Sequence, residues 1–347
     1  MAKGDAEAGH KIRTMEGLAA VCGVSRPTLS KYFNDPTSVR VKTRQRIENA
    51  VREHDYRPNI FAINLNRKAT KSVGIVVPYL SDPFFAELVR RLESRCIEAG
   101  YRPVLYSANG KRELENSALE SLRSLKPTGA LIAALGEASD LENLHKFAED
   151  VPTVLFDSML DIGKAFVGSD NDHSIGLIVE YLCRAGEPPC FFEMPPVNPN
   201  ATDRRLAYIH KMESLGFEPK VVRAHIGGWD FEKIGLEEGR RLIDNHRLPS
   251  RTILCSNDRI AIGLLAAAYE KGLRVGSGPG CALRIAGHDD HPWARFTCPP
   301  LTTVAQDYDA IAEHSVQTLF NVVEAGISAH AGEHLRLQGR LIMRSSA

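Results

Sequence analysis

Apolar residues near the start of the chain follow a helical period. Met15, Leu18, Ala19 and Cys22 are spaced three and four residues apart, as on one face of a short helix. Gly23 follows directly, and glycine readily adopts the positive φ that ends a helix and opens a tight turn. The pattern therefore predicts a first helix that ends at this glycine.

A second, more polar helix is predicted immediately after the turn. Ser25 stands at the N-cap position, and Pro27 lies in the first turn, where its missing N–H costs no intrahelical hydrogen bond. A third helix follows, with Ile47, Ala50 and Val51 on one face. Short helices on a glycine turn, the second of them polar and basic, are typical of a helix-turn-helix domain.

From Ser72 onward, short apolar runs alternate with helical stretches. Residues 73–77, 130–133 and 153–156 are predicted as buried strands, and a second set of strands and helices begins after Asp170. Repeated strand–helix units predict parallel sheets, and two sets predict two doubly wound lobes. The predicted fold class is α/β, in which a three-helix domain precedes a two-lobed core of doubly wound parallel sheets.

The distribution of charge changes this picture. The 347-residue chain has a formal net charge of zero, yet residues 11–71 contain 13 Lys and Arg against 5 Asp and Glu. From residue 72 the balance reverses, with 29 basic and 36 acidic residues. A basic head on an acidic body indicates a nucleic-acid-binding module joined to a module with another task. On charge alone, a solvated basic surface is the alternative.

Several protein classes are disfavoured by the sequence. No apolar run approaches the roughly 20 residues that span a bilayer, and residues 1–10 are polar, so we expect a disordered tail and a cytoplasmic protein without membrane contact. The seven cysteines are scattered and never form C-x-x-C, which disfavours disulfides and zinc. No catalytic motif stands in recognisable context. We therefore expect neither an enzyme, nor a metal site, nor a cofactor.

One ordered string of residues runs through the head and just beyond it. It starts at Gly23-Val24-Ser25, continues through Thr28-Leu29-Ser30, Asn34 and Thr43, and ends with Tyr56-x-Pro58-Asn59-x-x-Ala62-x-x-Leu65. In this string the sequence resembles the LacI/GalR family of transcription regulators. The resemblance covers nearly the whole chain after His10. It implies that the second helix lies in the major groove, that a hinge follows the head, and that the two-lobed core is periplasmic-binding-protein-like. The DNA contacts that it implies are Thr14, Ser25, Arg26, Pro27, Thr28, Ser30, Lys31, Asn34, Thr43, Tyr56, Asn59, Ala62 and Leu65.

Three of these positions carry specific expectations. Arg26 is the candidate for direct base readout, because a guanidinium pairs twice with guanine O6 and N7. Leu65, in a hinge over residues 58–71, matches the leucine that the family inserts into the minor groove, although a leucine packed on its own domain is the alternative. Arg40 stands where the family usually has a serine that caps the third helix.

In the core, polar residues follow several predicted strands. Ligands of doubly wound sheets bind at the carboxyl ends of the strands, so we expect a small-molecule site between the lobes. The resemblance implies a sugar-like effector, contacted by Asp157, Arg205, Trp229, Asn257, Asp289 and Gln306. Phe84 is a further candidate, because it offers an apolar face to a sugar ring. Asn257 could instead only cap the following helix, and Asp157 could merely end a strand.

These expectations define the domains and the function. The helix-turn-helix domain is assigned to residues 11–57, the hinge to 58–71 and the core to 72–347. Lobe 1 is assigned to about 72–168 and 306–332, and lobe 2 to about 169–305 and 333–344. The expected protein is a homodimeric repressor of a palindromic operator, controlled by a sugar, polyol or sugar acid. A purine effector and a cytosolic sugar-binding sensor or enzyme without DNA binding are the alternatives.

Overall fold

The chain divides into two compact units, Met1–Thr70 and Lys71–Ala347, called the head and the body below. In the computed structural model, residues 12, 14–57, 70–162, 165–326 and 334–347 are described. The predicted tail, residues 1–10, and most of the predicted hinge, including Asn59, Ala62 and Leu65, lie outside the described residues.

The described residues of the head contain three helices, and the local sequence sets their ends. They are α1 Met15–Cys22, α2 Arg26–Asn34 and α3 Val41–Glu53. Thr14 accepts a hydrogen bond from the Gly17 amide at 3.1 Å, and Ser25 caps α2 by accepting from the Thr28 amide at 3.3 Å. Gly23 closes α1 with φ 56°, as predicted.

The core of the head is small and lies where the three helices meet. Leu18, Leu29 and Ile47 are fully buried in it. Arg46 donates from Nη2 to the Gly23 carbonyl at 3.0 Å, which ties α3 to the turn between the first two helices. Arg40 supplies no side-chain cap to α3, so the sequence-based expectation of a missing cap holds for this geometry.

Lobe 1 of the body is built on a six-stranded sheet in the order β11-β5-β4-β3-β1-β2. Its strands are β1 Thr70–Val77, β2 Arg102–Ser107, β3 Pro127–Ile132, β4 Thr153–Phe156, β5 Ala165–Ser169 and β11 His334–Leu337. Its helices are α4 Pro83–Glu98, α5 Arg112–Leu125, α6 Leu141–Asp150 and α11 Tyr308–Ala325. Alternate strand residues enter different cores: Ile75 packs with α4 and α11, whereas Val76 packs with α5 and α6.

Lobe 2 repeats this plan around a four-stranded sheet in the order β7-β6-β8-β9. Its strands are β6 Cys190–Phe192, β7 Val221–Val222, β8 Thr252–Cys255 and β9 Arg284–Ala286, and β10 Thr303–Ala305 pairs antiparallel with β12 Arg340–Ile342 beside them. Its helices are α7 Asn171–Arg184, α8 Pro199–Ser214, α9 Phe231–Asp244 and α10 Asp258–Glu270. The pairings within β7-β6-β8-β9 are parallel, as the strand–helix pattern predicts.

One part of the predicted lobe division is wrong. Residues 333–344 were assigned to lobe 2, but β11 pairs in parallel with β5 at the edge of the lobe 1 sheet, and only β12 joins lobe 2. The chain therefore crosses between lobes near residues 170, 306 and 338. The Asp170 amide donates to the Leu337 carbonyl at 2.8 Å, so two of these crossings are hydrogen-bonded to each other.

Candidate functional site

A polar cleft lies between the two lobes of the body. Its lining combines carboxylates, guanidinium groups, amides and aromatic rings: Asp82, Phe84, Phe85, Asp157, Met194, Asn198, Asn200, Arg204, Trp229, Phe231, Asn257, Arg259 and Asp289. Five of the seven residues predicted for the effector site are among them, namely Phe84, Asp157, Trp229, Asn257 and Asp289. The predicted strand ends thus do meet at one place.

Asp157 is one of two carboxylates that lobe 1 contributes to the cleft lining. It follows β4 with φ 66°, a left-handed conformation that a residue other than glycine adopts at a cost and that is common at functional sites. The side chain is 6% exposed and accepts from Nδ2 of Asn200 at 3.2 Å. Burial, opposed by Arg204 but reinforced by Asp289 and Asp82, raises the pKa of Asp157 to about 7.

The cleft arginine is Arg204, and the prediction of Arg205 for this place is wrong. The sequence suggested a helix opening at Arg205, whereas α8 begins at Pro199. Neighbouring residues on a helix point about 100° apart, so this start directs Arg204 into the cleft. Arg205 lies outside it and pairs with Glu193 at 3.4 Å.

Arg204 is held by lobe 2 on three sides. Its Nη2 donates to Asp289 Oδ1 at 2.9 Å, its Nη1 to the Ser256 carbonyl at 2.8 Å, and its Nε to Asn171 Oδ1 at 3.1 Å. The side chain is almost fully buried. The carboxylate balances the charge of this buried guanidinium, and the three acceptors together take hydrogen bonds from its three nitrogens. These hydrogen bonds also fix the orientation of the accepting groups.

Asp289 is the carboxylate that lobe 2 contributes, and Gln306 supports it from behind. Gln306 donates to Asp289 Oδ1 at 2.7 Å and contacts Ser169, so it lies behind the cleft lining rather than in it. Asp289 has φ 118°. Burial alone would raise the pKa of Asp289, but Arg204 and the hydrogen bond with His288 hold it below the ordinary value. Arg204 thus favours the anionic form of Asp289.

Asn257 serves both the fold and the cleft. Its Oδ1 accepts from the Ile260 amide at 2.9 Å, so it caps α10 as the alternative interpretation of the sequence held. The same residue lines the cleft, where its Nδ2 lies 3.5 Å from the Met194 sulfur. The two interpretations of this position are compatible.

An ion pair across the cleft was missed by the sequence analysis. Arg259 of lobe 2 donates to Asp82 of lobe 1 at 2.9 Å, with 9% and 6% of the side chains exposed. Arg259 also contacts Glu232 and lies 5.0 Å from the ring centre of Phe231. Burial, opposed by Arg259, raises the pKa of Asp82. Asp82 is recognisable from the sequence as the start of a helix, because Pro83 follows it. Its partner Arg259 lies 177 residues away, and no local sequence pattern indicates that the two pair.

Aromatic rings close the remaining side of the cleft. Trp229 stacks parallel to Tyr79 with ring centres 6.0 Å apart, so a lobe 2 side chain lies on lobe 1. The free space left among the lining residues is about 30 Å³, room for one or two water molecules and far below the roughly 300–1,000 Å³ of a small-molecule site. The described conformation is thus closed. Asp157, Arg204 and Asp289 are hydrogen-bonded within it, whereas Oδ1 of the lining residue Asn198 is buried without a hydrogen-bond partner.

The predicted DNA contacts of the head fall into three groups. Thr14, Ser25, Arg26, Pro27 and Lys31 are exposed, whereas Thr28, Ser30 and Thr43 are half-buried. Tyr56 is 4% exposed and packs beside Phe33, so its ring belongs to the core rather than to the contact surface. Asn34 ends α2. On this surface Arg26 Nε lies 2.9 Å from Glu16 Oε1.

Comparison with known proteins now identifies the two units. A model of bacterial regulatory proteins of the lacI family matches residues 14–59, and a model of periplasmic-binding-protein-like domains matches residues 175–347. The chain belongs to the lacI family of bacterial regulatory proteins. The predicted resemblance and the predicted α/β fold class are both confirmed.

The relatives of this LacI-family chain are repressors. The ribose operon repressor of Escherichia coli K12 is 28% identical over 312 residues, covering 89% of this chain and 93% of the relative. The HTH-type transcriptional repressor PurR of Histophilus somni is 26% identical over 344 residues, covering 96% and 99%. The Lac repressor dimer bound to operator and the anti-inducer ONPF has the same fold, with 24% identity, a TM-score of 0.83 and coverage of 96% and 98%.

The function expected from the sequence is thereby confirmed at the level of the family. The chain is a DNA-binding transcription regulator whose second domain is of the effector-binding type, and its relatives are repressors rather than enzymes. Within the described residues, no helix is both long and apolar enough to cross a bilayer.

Proposed function

We propose that this regulator represses a palindromic operator and responds to a neutral, polyhydroxylated molecule bound between its lobes. The observation that carries the proposal is the convergence of Asp157 from lobe 1 with Arg204, Asn257 and Asp289 from lobe 2, beside the ring of Trp229. Carboxylate and amide acceptors, fixed donors and an aromatic face match a ring that bears hydroxyl groups. The similarity to a ribose operon repressor supports the same effector class.

The charges of the cleft favour a neutral effector over a sugar acid. Asp82, Asp157 and Asp289 face two guanidinium groups, and each guanidinium already has its own carboxylate. Asp157 is left with an amide donor. An additional anion would meet uncompensated negative charge in a poorly solvated site, whereas hydroxyl groups would donate to Asp157.

Effector entry requires the lobes to separate or the cleft side chains to rearrange, because the closed cleft holds one or two water molecules. The Arg259–Asp82 pair and the Trp229–Tyr79 stack join the lobes and would yield first. A molecule that binds the open and closed forms unequally shifts the population between them. Coupling to operator affinity then amounts to roughly 1–3 kcal/mol in typical allosteric proteins.

On the DNA side, we infer that a cytoplasmic homodimer places two α2 helices in successive major grooves, about one helical turn apart. The contacts are the exposed residues of the head, with Arg26 reading a guanine. Trp293 and Phe296, in one turn of lobe 2, are 57% and 75% exposed. Large exposed aromatic side chains are enriched in interfaces, which supports association of two copies. Sedimentation equilibrium measures that stoichiometry, and a monomer bound at a single half-site would exclude it.

The operator is found by selecting duplexes from a randomised pool with the purified full chain. We expect an inverted repeat whose binding weakens steeply with salt, because phosphate contacts release counterions. Selection of no sequence, with and without effector candidates, would exclude the DNA-binding part of the proposal.

The effector class is tested by thermal shift with four groups of compounds: neutral sugars, polyols, sugar acids and purines. We expect stabilisation by a neutral sugar or polyol, and a compound that also changes operator affinity is the effector. Trp229→Ala should abolish the shift, whereas Tyr269→Ala, at an exposed aromatic residue of α10 outside the cleft, should retain it. A shift caused by a sugar acid or a purine instead would overturn the neutral polyhydroxylated class.

A further inference from the structure

An ion pair joins the first two helices of the head on their exposed surface. Arg26 is the first residue of α2, Glu16 lies in the first turn of α1, and Arg26 Nε is 2.9 Å from Glu16 Oε1. Both side chains are 63% exposed. Within the described part of the head, Glu16 is the carboxylate paired with Arg26, and no second ion pair engages that guanidinium.

The backbone at both ends of this pair is fixed by local chemistry. Ser25 caps α2 immediately before Arg26, and Pro27 immediately after it restricts the backbone to a helical φ. Glu16 follows Thr14, which caps α1, and precedes the buried Leu18. The pair therefore forms by side-chain torsions alone, between two anchors that the packing of α1 and α2 holds in place.

The pair leaves a particular edge of the guanidinium available. Glu16 lies beside Nε, and the terminal nitrogens Nη1 and Nη2 form the edge of the guanidinium plane opposite Nε. Two parallel N–H donors on one edge are what the O6 and N7 acceptors of guanine require. A carboxylate at Nε also restricts rotation of a side chain that otherwise loses much rotamer freedom when it binds.

We propose that Glu16 is a positioning residue for base readout, which presents the terminal nitrogens of Arg26 to one guanine in each half-site. This inference rests on the proposed contact between Arg26 and a base. The exposed pair contributes little to folding. The carboxylate also repels DNA phosphates, so it weakens binding to every sequence. At a site where Arg26 contacts its guanine, that contact offsets the loss of affinity. Glu16 thus acts on specificity more than on affinity.

The experiment compares base preferences of variants of the full chain, selected in parallel from one randomised duplex pool at equal salt. Arg26→Ala identifies the position that Arg26 reads, as a loss of guanine preference of about fivefold or more. Glu16→Ala should reduce guanine preference at that same position by about threefold, leave other positions unchanged, and strengthen binding to non-specific DNA. Glu16→Gln, which retains an acceptor oxygen for Nε, should recover part of the preference while keeping the gain in non-specific binding.

The matched control is Glu48→Ala. Glu48 is also an exposed carboxylate of the head and lies 4.0 Å from Arg44, so its removal changes the net charge equally. It should strengthen non-specific binding without changing guanine preference at the Arg26 position. Melting temperatures of all variants within a degree or two of one another establish that each head is folded.

The outcomes separate this inference from the proposed function. Enrichment of no sequence by the unmodified chain would contradict the proposed function itself. If Arg26→Ala changed no base preference, both the Arg26 contact and the role of Glu16 would be excluded. If Arg26→Ala changed one position and Glu16→Ala changed none, or changed a different one, the operator contact would stand and Glu16 would have no positioning role.

Discussion

The contact surface of the head and the cleft of the body use similar residue types under opposite conditions. On the head, Ser25, Arg26 and Lys31 are exposed, and the ion pair of Arg26 is solvated. In the cleft, Arg204 and Asp289 are less than a tenth exposed and bind each other within a hydrogen-bonded network. The guanidinium of Arg26 therefore stays accessible to a further partner, whereas that of Arg204 is enclosed by its partners.

This difference in burial determines how strongly function and stability are coupled in each region. Exposed ion pairs contribute roughly 0–1 kcal/mol, so contact residues of the head are replaceable without loss of the fold. A buried pair broken at one member leaves an uncompensated charge, which costs about 3–5 kcal/mol. If the proposed contacts hold, we expect substitutions in the cleft to change effector binding and stability together, and substitutions on the head surface to change DNA binding without changing stability.

Removing Arg204 is the severest test of the contrast. Arg204→Ala leaves Asp289 buried without its cation, and we expect the free energy of unfolding to fall by about 3–5 kcal/mol. Arg205→Ala is the control, because that side chain is 28% exposed and its pair with Glu193 lies outside the cleft. Urea denaturation measures both; equal losses for the two variants would contradict the assignment of Arg204 to the cleft.

Asp157 should make the stability of the body depend on pH. Its pKa is about 7 in the folded chain against an ordinary value of 3.8, so the folded state binds the proton more tightly and stability falls as pH rises through that window. Asp157→Asn should therefore stabilise the protein at about pH 8, by at most about 4 kcal/mol, and leave it nearly unchanged at about pH 4.

Thermal unfolding across this pH range tests the assignment. A gain in melting temperature that does not depend on pH would show that Asp157 is not the titrating group. Asparagine suits this position because it tolerates the left-handed backbone that Asp157 adopts.

A smaller change is expected at the start of α3. Arg40 provides no side-chain cap, so Arg40→Ser should stabilise the head by about 0.5–2 kcal/mol by accepting a hydrogen bond from a free amide of the first turn. Arg40→Ala removes the same charge without supplying a cap. Equal melting temperatures for the serine and alanine variants would mean that the serine does not cap.

The smallest effect on stability is expected at the contact surface. Arg26→Ala should change the free energy of unfolding by less than about 0.5 kcal/mol, since the pair with Glu16 is exposed. A loss of unfolding free energy above about 1 kcal/mol would contradict this difference between head and cleft, because it would show that Arg26 also stabilises the fold.

Local signals explain what the sequence predicted well. Gly23 and Ser25 determine their helix ends through their own backbone and hydroxyl chemistry, so α1 and α2 follow from neighbouring residues. Asp157 and Asp289 were found because each directly follows an apolar strand, and the carboxyl ends of parallel strands meet at one edge. That the described cleft residues contact an effector stays a prediction.

The predictions from sequence were wrong or incomplete where the structure depends on residues far apart in the chain, or on which way a helix is rotated about its axis. Arg204 and Arg205 differ only in their angle around α8, which the start at Pro199 sets. The pairing of β11 with β5 and of Arg259 with Asp82 joins residues more than 160 positions apart. Tyr56 belongs to a family motif, and only its packing shows that the side chain is buried.

The return of the chain to lobe 1 through β11 constrains the order of events during synthesis. The edge strand of the first lobe, residues 334–337, is translated after nearly all of the second lobe. During synthesis β5 therefore lacks its β11 partner until nearly all of lobe 2 has been translated. An unpaired strand edge is a template for association with other chains. The β11 strand thus has a second consequence besides completing the sheet, because its synthesis ends the period in which this edge of β5 is open.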